Sequence, residues 1–193
     1  MNYFEQANEI KQQIKDSISN SKSLPSLVLI NTGNGKGKTT AAIGTIIRAC
    51  GYHQTCAFYQ FLKGNVDSGE ISVLKGLGVK CSKTKCPCAW DIKDKNLALI
   101  ECQTLFNYAK LDLMSGAYNL IVLDEITYLI EMGFISIDDL IFSIQNRHPN
   151  TSIIITGRHA PNELIAIADT VSEIMNIKHA FENNALALKG IDF

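Results

Sequence analysis

Leu27-Val28-Leu29-Ile30-Asn31 runs straight into Thr32-Gly33-Asn34-Gly35-Lys36-Gly37-Lys38-Thr39-Thr40, and then into Ala41-Ala42-Ile43-Gly44. The first stretch is apolar and β-branched, as in a buried strand, and the last is compatible with a helix. Between them, three glycines let successive backbone N–H groups curl around an anion. The start of the helix adds partial positive charge, and Lys38 adds a full one. Gly33, Asn34, Gly35, Lys36, Gly37, Lys38, Thr39 and Thr40 therefore form the expected triphosphate cradle, with the Thr39 hydroxyl offered to Mg²⁺. Thr32 stands where such loops usually have their first glycine, so this loop is a variant.

Outward from the loop, apolar β-branched stretches alternate with helix-compatible ones. Strands are expected near Leu27–Asn31, Thr55–Phe61, Val79–Cys81, Leu120–Asp124, Ser152–Thr156 and Thr170–Met175. Helices are expected near Lys38–Cys50, Asp94–Ser115, Ser136–Asn146 and Pro161–Ala168. The alternation predicts an α/β fold with a mostly parallel central sheet of about six strands flanked by helices. Upstream, Phe4, Ala7, Ile10, Ile14 and Ile18 recur at three- and four-residue intervals, which predicts an amphipathic helix, and Asn20–Ser26 reads as a linker. Residues 1–26 are thus set apart from one globular domain over 27–193.

Eighteen basic against nineteen acidic residues leave a formal charge of -1, which excludes a global positive field able to hold nucleic acid by counterion release. The N-terminal stretch has scattered charges and no apolar run of the secretory type, and nowhere do about 18 apolar residues occur together. A soluble, cytoplasmic protein without a membrane partner is expected. Six cysteines at uneven spacing read as free thiols. Cys81, Cys86 and Cys88 invite a metal-site reading, but they lack the paired Cys-x-x-Cys spacing and a nearby histidine.

A second half-site appears at Leu120-Ile121-Val122-Leu123-Asp124-Glu125, an apolar strand ending in two carboxylates. Parallel strands deliver their carboxyl ends to the ligand crevice, so Asp124 or Glu125 can meet the Lys38–Thr39 loop and hold Mg²⁺, directly or through water. Arg158, in Thr156-Gly157-Arg158, follows another apolar strand and can clamp phosphate oxygens. Arg48, on the helix after the loop, is a weaker candidate for the same task.

The fuller set of motifs is more specific. Asn31–Ala42, Gln60-Phe61-Leu62-Lys63-Gly64, Ser68-Gly69-Glu70, Trp90-Asp91, Leu123–Tyr128, Ile155–Arg158, Ala168–Glu173, Lys178-His179-Ala180-Phe181 and Gly190-Ile191-Asp192 occur in order. Together they resemble the P-loop family of corrinoid adenosyltransferases. The resemblance implies a homodimeric, RecA-like enzyme that binds ATP with Mg²⁺ or Mn²⁺ beside a corrinoid, either cobalamin or a cobinamide-type precursor, and releases tripolyphosphate. It implies that Gly33 to Thr39 bind the phosphates and that Thr39 and Glu125 hold the metal, with Asp124 behind them. It also implies that Trp90 packs under the corrin ring to remove the lower axial ligand of cobalt(II), and that the N-terminal helix acts as a lid. Cys88 departs from the pattern, because an aromatic residue is expected in this corrinoid-binding loop two positions before Trp90. Cobalt(I) would be the nucleophile, which accounts for the lack of a catalytic triad, and a flavoprotein would be a suitable reductant. The alternative activity is a P-loop kinase acting on a small molecule or nucleoside, which would yield ADP instead.

Overall fold

The computed structural model describes residues 3–19, 21–64, 68–85 and 92–191. All six expected strands are present: β1 (Val28–Thr32), β2 (Cys56–Gln60), β3 (Lys80–Lys83), β4 (Leu120–Asp124), β5 (Ser152–Thr156) and β6 (Thr170–Glu173). They form one sheet in the order β3-β2-β4-β5-β1-β6. Every pairing is parallel, so the sheet is wholly rather than mostly parallel. The four expected helices appear as α2 (Lys38–Gly51), α4 (Lys95–Ser115), α6 (Ile137–Gln145) and α7 (Asn162–Ala166). Two more, α3 (Gly69–Gly76) and α5 (Thr127–Glu131), fall in stretches that carry too few residues to display a helical period.

Side chains alternate across the strands and build a core on each face. Tyr59, Ile121, Leu123, Ile153 and Ile155 join Phe106, Ala109 and Leu113 of α4, and Leu140 and Ile144 of α6. On the other face Phe58, Val122 and Ile154 meet Ala42, Ile43 and Ile46 of α2, and Ile71 and Leu74 of α3. Each large side chain buried in this way contributes about 1.5–3 kcal/mol. The longest helix, α4, is started and stopped by local chemistry. Asp94 caps α4 by accepting from the N–H groups of Asn96 and Leu97, and left-handed Gly116 ends it. The edge strands β3 and β6 are short and polar or charged at three of their four positions, and β6 is exposed throughout.

The expected N-terminal helix is α1 (Tyr3–Ser19). Its residues 5–19 are all exposed, including Ile10, Ile14 and Ile18. None of the described helices is long and apolar enough to cross a membrane.

Candidate active site

The carboxyl ends of β1, β5 and β4 deliver three functional segments to one side of the sheet: the glycine loop, Thr156-Gly157-Arg158 and Asp124-Glu125. Because β5 lies between β1 and β4, residues from its end can bridge the other two. The loop hangs from the residues after β6. Ile174 N–H donates to Thr32 O at 2.8 Å, and Gly35 N–H donates to Ile174 O at 2.7 Å. Gly33 turns the chain at φ 97°, and a Cβ there would stand 2.5 Å from Ile174 O. The unusual Thr32 is explained by this register. It stays within β1, paired with Glu173, and its hydroxyl accepts from Ala160 N–H at 3.2 Å, so the left-handed turn falls one residue later.

Lys38 opens α2 after a second left-handed glycine, Gly37, and its Nζ donates to Gly35 O at 2.7 Å. Its side chain is buried, which lowers the ammonium pKa; Glu125 opposes that shift and Arg158 reinforces it. An anion in the loop would relieve this cost by pairing with the ammonium.

The two carboxylates after β4 have separate tasks. Asp124 is fully buried. Its Oδ1 accepts from the Thr39 hydroxyl at 2.8 Å and the Thr156 hydroxyl at 2.7 Å, and its Oδ2 accepts from Gln60 Nε2 at 3.1 Å. Those three donors occupy the side chain and tie the start of α2 to β2, β4 and β5. Glu125 is left-handed at φ 63°, uncommon for a residue with a side chain, and its N–H donates to Thr156 Oγ1 at 2.9 Å. The turn carries its carboxylate into the cavity, where Oε2 is buried with no hydrogen-bond partner among the described residues. Burial, and then Asp124, push the Glu125 carboxyl above its usual range, with Lys63, Lys38 and Arg158 opposing.

These groups line a cavity of about 620 Å³. Gly35, Lys36, Gly37, Lys38, Thr39, Thr40, Glu125 and Arg158, all expected from the sequence, meet there. Asp124 stands behind Thr39, and Gly33 shapes the loop from outside the lining. Asn34 is exposed and Arg48 lies in the last turn of α2, about 15 Å along the helix from Lys38, and neither lines the cavity. Trp90 and Cys88, with Cys86, lie outside the described residues; Cys81 is partly buried in β3. Leu62, Lys63, Glu70, Tyr128 and Ile191 also line the cavity and were not expected in the site. All five lie in segments of the resemblance, which is the one signal that pointed to them.

The donor set fits a divalent cation. Thr39 gives its proton to Asp124 and so keeps its oxygen lone pairs, while Glu125 supplies an unpartnered oxygen in the same cavity. Hard cations such as Mg²⁺ take one or two such protein ligands and complete their shell with phosphate and water.

The profile of the family described as ATP:corrinoid adenosyltransferase BtuR/CobO/CobP matches residues 25–193. The chain belongs to that family. A corrinoid adenosyltransferase of Escherichia coli K12 is 30% identical over 99% of this chain and 97% of its own length. The corrinoid adenosyltransferase CobA of Salmonella typhimurium LT2 is also 30% identical, with the same coverage. A corrinoid adenosyltransferase of Pseudomonas aeruginosa is 29% identical over 95% of this chain and 91% of its own. A solved KaiC-like protein from Pyrococcus horikoshii matches with a TM-score of 0.45 and 15% identity over 83% of this chain and 77% of its own. For an ATP:corrinoid adenosyltransferase, the kinase alternative is not favoured.

Proposed function

We propose that this protein transfers the 5′-deoxyadenosyl group of ATP to the cobalt of a reduced corrinoid, cobalamin or a cobinamide-type precursor, and releases tripolyphosphate. The observation that carries this reading is a phosphate loop whose buried Lys38 shares one cavity with the open Glu125 carboxylate, in a chain of this family. In the reaction, cobalt(I) attacks the 5′ carbon of ribose, the C5′–O bond breaks and its electron pair leaves with the triphosphate. No proton is abstracted, so no general base is required. The work left to the protein is to hold the substrate and stabilise the leaving anion, for which loop N–H groups, Lys38 and Arg158 are suited. Mixing the protein with ATP, Mg²⁺, cobalamin and a strong reductant should shift the corrinoid spectrum to a light-sensitive adenosylated form with release of tripolyphosphate. Formation of ADP without that shift would overturn the assignment.

Thr39 and Glu125 would hold Mg²⁺, whose charge would help to neutralise the leaving triphosphate. Glu125→Gln is expected to raise the Mg²⁺ concentration for half-maximal rate by at least about tenfold, since a neutral amide is a poorer ligand for a hard cation. An unchanged midpoint would move the ligand role elsewhere.

In the same reading the enzyme is a cytoplasmic homodimer that draws electrons from a flavoprotein. The N-terminal helix α1 forms a lid over the corrinoid, a role supported by its exposed stripe. Trp90, with Cys88 beside it, would face the corrin ring and displace the lower axial ligand. Trp90→Ala is then expected to preserve adenosylation of chemically supplied cobalt(I) and to slow it about tenfold or more when cobalt(II) must be reduced by a weak donor. Equal loss in both assays would make Trp90 structural.

A further inference from the structure

Glu70, the second carboxylate lining the cavity, has no part in the reading above. It stands in the first turn of α3, just after the cap residue Ser68. Its Oε2 is buried with no hydrogen-bond partner among the described residues. Ser68 hydrogen-bonds to the carboxyl and holds it below the usual range despite partial burial, so the group is ionised and can only accept. A buried acceptor without a donor is costly, and the missing donor can come from a ligand.

That donor is not a phosphate, because two anionic acceptors repel each other. The metal end of the cavity is also a poor match. Asp124, Lys63, Lys38 and Arg158 all act on Glu125, whereas among the described residues Lys63 is the one charged side chain that acts on Glu70. Glu70 therefore stands apart from the charges that gather around the phosphates, yet it still lines the same cavity. The part of ATP that remains is the nucleoside, which carries neutral O–H and N–H donors. We propose that Glu70 Oε2 accepts a hydrogen bond from the nucleoside half of ATP, donated by a ribose hydroxyl or by the adenine 6-amino group. The proposal rests on the ATP-binding reading above. It makes Glu70 a substrate-binding residue that chooses the nucleotide and helps to orient the 5′ carbon for attack, because a site built to bind a donor rejects an analogue that lacks it.

Calorimetric titration of the full chain tests this with ATP, 2′-deoxy-ATP, 3′-deoxy-ATP, purine riboside triphosphate and tripolyphosphate, each with Mg²⁺. The wild type should bind one of the three analogues about 10- to 100-fold more weakly than ATP, as expected for losing a charge-assisted hydrogen bond. A gap at a deoxy analogue identifies a ribose hydroxyl, and a gap at purine riboside triphosphate identifies the amino group. Glu70→Ala should weaken ATP by the same factor, erase that gap and leave tripolyphosphate binding unchanged. Glu70→Gln, which keeps the shape of the side chain, should show a smaller loss in the same direction and serves if the alanine variant fails to fold. The proposal is overturned if no gap exists in the wild type, if the gap survives in the variants, or if tripolyphosphate and ATP weaken together. A wild-type protein that binds neither ATP nor tripolyphosphate would instead strike down the functional reading.

Discussion

Lys38→Ala is expected to slow adenosyl transfer by about a thousandfold, with cobalt supplied as cobalt(I) or as cobalt(II). The triphosphate departs with its whole charge, and Lys38 is the cation built into the cradle itself, 6% exposed and held against Gly35 O. Lys36, Lys63 and Arg158 also line the cavity, but all three residues are exposed to solvent, where a charge is screened and acts more weakly. Losing the ammonium also removes a buried charge that is costly to desolvate, so the variant should remain folded. Tripolyphosphate release, followed beside the corrinoid spectrum, measures the effect, and circular dichroism checks the fold. Rates near those of the wild type would remove the loop from the reaction.

Gly33→Ala should damage both stability and nucleotide binding. The residue is at φ 97°, and its added Cβ would meet backbone atoms on the far side, Ile174 O at 2.5 Å and Ile174 N at 2.8 Å. Backbone cannot rotate away as a side chain can, so left-handed strain and overpacking together should cost roughly 2–5 kcal/mol. The same shift would break the hydrogen bonds that join Thr32 and Gly35 to Ile174 and spoil the curl of N–H groups. Gly37→Ala is the comparison: it shares the positive φ but has nothing within 4 Å of the added carbon, so it carries the strain alone. Urea denaturation and ATP titration of both variants measure the difference, and equal behaviour would show that the contact with Ile174 does not shape the loop.

Much of this architecture was legible because it repeats a strong local signal. Runs such as Ile153-Ile154-Ile155 and Ile121-Val122-Leu123 are buried on both faces, and their continuous hydrophobicity marks them as parallel strands. The order of those strands was not legible, because nothing in β1 itself states that β5 and β6 will flank it. Short elements also escaped notice. In α3 only Ile71 and Leu74 are buried, a single i, i+3 pair that fits a turn equally well. Within the site, adjacent Asp124 and Glu125 look interchangeable on paper. They part only through the left-handed turn at Glu125 and the three side-chain donors that surround Asp124, both products of tertiary packing. Arg48 was suggested by nearness in sequence to the loop, but the rise of α2 carries it away.

The strand order has a consequence for how the chain emerges from the ribosome. Within the sheet, β1 is hydrogen-bonded to β5 and β6, with Val28 opposite Ile153 and Leu29 opposite Thr170. At translation rates of about 5–20 residues per second, the first strand of the sheet waits on the order of ten seconds for its partners. During that interval β2, β3 and β4 can pair with one another, since Cys56 meets Leu120 and Ala57 meets Lys80. The nascent chain therefore carries Val28 and Ile30, both destined for the core, without a strand beside them. The cradle is completed only when Ile174 arrives to grip Gly35, so capture of the nucleotide waits until all six strands of the sheet have been made.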